Sequence, residues 1–76
     1  MGKYQCDVVK FIKYNGEILA LFPNNKHGKY ILCYAHLGQH GEAHQDLLSH
    51  KSVAENEYIA LASELRELGY NLSINN

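Results

Sequence analysis

Three of the five histidines in this chain, His36, His40 and His44, recur at every fourth position around Gly38 and Gly41. Imidazole binds metals, carries protons and changes charge near neutral pH, so this cluster defines the chemistry to be tested. As a metal site the trio offers neutral nitrogens to a zinc ion and leaves a further position to water, with Cys33, Glu42 or Asp46 available to complete it. The spacing lacks a paired short motif such as His-Glu-x-x-His, and the glycines interrupt any helix that would align the rings. Surface or packed histidines, with ring nitrogens or the Gln39 amide bonding carbonyls where a strand ends, are the plainer reading, so no cofactor is expected. Zinc on His36, His40 and His44, or a pH-responsive role for them, is the alternative.

Nucleophilic catalysis would need Cys33 beside a histidine base oriented by Asp46 or Glu42. Cys33 and His36 differ by an odd number of positions, which places them on opposite faces of a regular strand. The chain has no phosphate-cradling P-loop and no nucleophile elbow, and a chain this small rarely builds both a core and an enclosed pocket. It is read as no enzyme. His27 and His50 have no partner at a diagnostic spacing and read as solvated.

The elements that must position these residues follow from local pattern. Gln5 to Tyr14 is a β-rich run stopped by Asn15-Gly16, the strongest short signal for a two-residue hairpin turn. Glu17 to Phe22 returns, and its nearly continuous apolar run predicts a strand covered on both faces, by a helix on one and a partner on the other. Residues Pro23 to Lys29 read as a polar connection, and Tyr30 to Leu37 as a third strand. Ser52 and Glu55 fit a capping box, opening a helix from Val53 to Leu68 whose buried stripe is Tyr58, Leu61, Ala62, Leu65 and Leu68. Gly69 stops it, and Tyr70, Leu72 and Ile74 alternate with polar residues as a last strand. The segment from Gly38 to Lys51 reads as a loop. The expectation is one α+β domain over residues 1–76: a three- to four-stranded, mostly antiparallel sheet with one helix on one face, in ββ(β)αβ order.

Composition bounds the partners. With 76 residues, 46% hydrophobic, the chain is a single small domain that should fold and would gain from dimerisation. Seven Lys and Arg against eight Asp and Glu give no global basic field, so nucleic acid is not the default partner. Local basic edges at Lys3, Lys10 and Lys13, or at Lys26, His27 and Lys29, leave weak nucleic-acid binding as a further alternative. No apolar run is long enough to span a bilayer, and no secretory signal is evident, so the expected compartment is the cytoplasm, with Cys6 and Cys33 reduced. Six tyrosines exceed what a core of this size needs, and Tyr4, Tyr14, Tyr30 and Tyr34 are the candidate anchors for a protein partner.

The segment Tyr34-Ala35-His36-Leu37-Gly38-Gln39-His40-Gly41, after a hairpin ending Leu21-Phe22-Pro23, resembles a family of small bacterial and phage proteins with no assigned activity. The likeness extends over Glu55, Tyr58, Leu61, Glu64, Leu65, Gly69, Tyr70, Asn71 and Leu72. It implies a compact α+β accessory protein of phage or mobile-element type, acting by protein–protein contact, as a homodimer or on a host protein or defence complex. It implies no catalytic residue.

Overall fold

The computed structural model describes residues 7–35 and 39–75; Tyr4, Cys6 and His36 lie outside them. The described residues form five strands and one α-helix in the order β1 (Asp7–Tyr14), β2 (Glu17–His27), β3 (Tyr30–Ala35), β4 (Gln39–His44), α1 (Glu55–Glu67) and β5 (Leu72–Ile74), with a 3₁₀ helix at Gln45–Ser49. The strands form one sheet ordered β4-β3-β2-β1-β5. Successive pairs among β1 to β4 are antiparallel, and β5 lies parallel to β1. The α+β class holds, with β4 added to the expected order.

Each connection has a local cause. Asn15 (φ 52°) and Gly16 (φ 81°) both take the left-handed conformation that a type I′ turn requires, setting Tyr14 opposite Glu17. The polar stretch after Phe22 is not a loop: β2 continues to His27, and Pro23, Asn24 and Asn25 bulge out between the pairs Phe22↔Leu32 and Lys26↔Ile31. Proline has no N–H to give a ladder, and a bulge is where a central strand tolerates it.

Alternation along the strands divides two cores. Val9, Phe11, Ala20, Phe22 and Tyr34 meet Leu61, Ala62 and Leu65 of α1 on one face. Ile12, Leu21 and Ile31 form the other, covered by Leu47 and Leu48 of the 3₁₀ helix. The second cover that β2 demands is therefore supplied by the chain itself, where the sequence suggested a partner. The Lys10 ammonium donates to the Leu48 carbonyl at 2.6 Å, and Val53 N–H donates to the Phe11 carbonyl at 3.1 Å, strapping this segment to β1.

The same strap removes the expected capping box. Ser52 bridges to Ile12, so the helix starts later, at Glu55, with Ala54 as an N-cap that makes no side-chain bond. Glu55 and Glu57 in the first turn complement the helix dipole instead. At the other end Tyr70 N–H donates to the Leu65 carbonyl at 3.1 Å and Gly69 N–H to Arg66 at 3.0 Å, with Gly69 at φ 106°, the bond pair of a Schellman motif. Leu68 is not part of the buried stripe; it lies past the last helical residue and is 54% exposed. Among the described residues no helix is long and apolar enough to cross a membrane.

Candidate functional site

The residues that carry chemistry converge on β4 and the helix-side face next to it. In the β3–β4 register Tyr34 lies opposite His40, Leu32 opposite Glu42 and Tyr30 opposite His44. Alternation puts all six on the face that α1 occupies. Among the described residues the helix packs mainly against β2 and β5, and Gln39 to Glu42 of β4 are exposed, so the β4 side of that face is open.

At one end of the open strip, the His40 ring meets the buried Tyr34 edge-on at 4.6 Å between centroids, and His40 Nε2 lies 2.9 Å from Tyr70 Oη. Tyr70, folded back by the Schellman turn, stacks on Phe22 at 5.2 Å. Burial, and then the negative charge of Asp7, push the Tyr70 phenol above its usual range. Tyr34 Oη donates to the Glu64 carboxylate of α1. At the other end His44 meets Tyr30 edge-on at 5.8 Å, and His27 Nδ1 lies 3.4 Å from Glu42.

His44 has two partners in Asp46. Its Nδ1 accepts the Asp46 N–H at 3.2 Å, capping the 3₁₀ helix, and lies 3.4 Å from the Asp46 carboxylate. The first contact needs a bare nitrogen and the second a protonated one, so the two make opposite demands on the same atom.

Of the three expected ligands His36 lies outside the described residues, and the other two are not brought together. His40 and His44, four residues apart on an extended strand, are about 13 Å apart at the strand rise of ~3.3 Å per residue, too far to share one ion. Each ring is engaged by different neighbours. Among the described residues no group of three or more His, Cys, Asp and Glu side chains could hold a metal. Cys33 lies opposite Gly41 on the other face, away from His40 and Glu42, and burial raises its thiol pKa against a smaller lowering by the Gly41 backbone. On that face the thiol packs against the core of Ile12, Leu21 and Ile31.

Of the expected anchors, Tyr30 is 47% exposed and joins the β4 strip, whereas Tyr14, 42% exposed, is on the opposite face against His50. Tyr34 is fully buried and cannot reach a partner, because the sheet-side core closes over it.

Two features were not read from the sequence. The first is a polar cleft of about 330 Å³ beside Tyr70, lined by Asp7, Phe22, Asn24, Asn25 and Lys26 where the β2 bulge opens. The second is the outer edge of β4, which no described strand pairs. Gln45 N–H donates to the Lys29 carbonyl at 2.8 Å, continuing the ladder beyond Tyr30↔His44. By antiparallel alternation Gln39, Gly41 and Ala43 then direct their backbone groups to β3, and His40, Glu42 and His44 direct theirs outward.

The chain matches no known family model, no curated protein and no solved structure.

Proposed function

We propose that this chain is a small non-catalytic accessory protein that works by binding protein, and that the partner adds a strand to β4. The observation that carries the reading is the edge itself. Edges are normally blunted by short length, lysine, proline or a bulge. The β5 edge is short, at three residues. β4 has six residues, no lysine, no proline and an unbroken register against β3. Such a strand offers main-chain donors and acceptors for affinity, while side chains beside it set specificity. Tyr30 is the aromatic anchor next to that edge, and His27, Glu42 and His44 form its polar surround. The resemblance to phage-type proteins implies a host protein as the class of target.

The test is selection of peptides from a random display library on the immobilised protein, repeated with Glu42→Pro. Proline at this position removes an outward N–H and leaves the bonds to β3 in place. Enriched peptides should bind in extended form, protect the His40, Glu42 and His44 amides from exchange, and lose binding to Glu42→Pro. Peptides that bind the variant equally, or no enrichment at all, would overturn the reading.

A further inference from the structure

We infer that the strand received by β4 is β4 of a second copy, paired antiparallel about a two-fold axis at Gly41; this rests on β4 being a docking edge. The pairing must bring outward-facing residues against outward-facing residues, which restricts the register to even offsets. With Gly41 on the axis, His40 lies opposite Glu42 of the second copy, and Glu42 opposite the second copy's His40. Each such pair exchanges both of its main-chain bonds and sets an imidazole beside a carboxylate on the open face.

The next register, with Glu42 on the axis, places the two Glu42 carboxylates against each other and His40 against His44. Like charges directly opposite are unfavourable, so charge favours the first register over this one. The other face agrees. Gly41 meets Gly41 across the axis with no side chain on either, and a Cβ built at Gly41 would already touch the Cys33 sulfur at 3.9 Å. Gln39 then lies opposite Ala43, a pair without charge.

The edge is thus self-complementary in side-chain type and shape, imidazole to carboxylate and glycine to glycine, which a strand of an unrelated protein need not be. His40 is held for this contact by Tyr34 and Tyr70, and Glu42 is faced on its own chain by His27. The two-fold would join two five-stranded sheets into one continuous sheet, the closed symmetric assembly expected of an isologous interface.

The test is the oligomeric state of the whole chain over a concentration series to about 1 mM, the affinity scale of weak contacts, by sedimentation and native mass spectrometry. The variants are His40→Glu, Glu42→Lys and the two combined, with folding followed by amide spectra. A concentration-dependent dimer is expected. His40→Glu opposes two carboxylates and Glu42→Lys removes the carboxylate that faces His40, each raising the dissociation constant by about tenfold. The combined variant restores opposite charges in this register and in no other, and should recover the dimer. A monomer throughout, or a dimer indifferent to both single substitutions, would overturn the inference. If peptides still add to β4 of that monomer, the binding reading stands with a different occupant; if they do not, both fail.

Discussion

His40 Nε2 and Tyr70 Oη meet at 2.9 Å although His40 belongs to one edge strand and Tyr70 lies two residues before the strand at the opposite edge. The link passes over the sheet, through Tyr70 stacked on Phe22 and His40 edge-on to Tyr34. It ties the candidate docking strand to the C-terminal turn of α1.

Removing the link should loosen β4 selectively. Tyr70→Phe and His40→Ala are each expected to cost about 1 kcal/mol, and their combination less than the sum because they share one contact. Hydrogen exchange at the β4 amides, with urea denaturation for the global value, measures both.

Alkaline pH should weaken the fold through Tyr70. Its phenol titrates above the ordinary value of 10.0 in the folded chain, so the folded state holds its proton longer than the unfolded one. Stability is unaffected below about pH 10 and falls as pH rises beyond it, because unfolding then releases a proton. Denaturation midpoints between pH 8 and 11 should decline less in Tyr70→Phe.

The Cys33 thiol should be a poor nucleophile. Burial holds its pKa above 9.0, so little thiolate is present at neutral pH. In a Cys6→Ser background, iodoacetamide should modify Cys33 more slowly at pH 7.5 than it does a free cysteine peptide, and the rates should converge in denaturant. A faster rate in the folded protein would contradict this environment.

Tyr34→Phe removes the hydroxyl that donates to Glu64 between β3 and α1. A hydrogen bond to a charged acceptor at a partly buried site makes the expected loss about 2 kcal/mol. Thermal and urea unfolding check it, with Glu64→Gln as a milder variant that keeps an acceptor.

His44→Ala removes the acceptor that caps the 3₁₀ helix and should cost about 1 kcal/mol, whereas His44→Asn, which can accept from the same N–H, should recover most of it. Equal losses would show that the Tyr30 contact, not the cap, is what His44 supplies.

The parts of the fold visible in the residues are those whose causes are local. Asn15-Gly16 names its turn because both positions need positive φ. Leu61, Ala62 and Leu65 name the buried face of α1 by spacing, and Gly69 its end. β4 was hidden because Gln-His-Gly-Glu-Ala-His carries no apolar alternation, and it pairs through main-chain groups that any sequence possesses. Ser52 and Glu55 have the form of a capping box, yet Ser52 is drawn to Ile12 instead.

Tyr30 and Tyr34 mark the limit most sharply. They share β3 and, by alternation, one face of it, and nothing in their spacing separates them. One is 47% exposed and the other fully buried because the sheet-side core that includes α1 residues closes over Tyr34 and stops short of Tyr30. Composition and periodicity set which residues can face a core, but long-range packing sets where that core ends, and with it which tyrosine stays exposed.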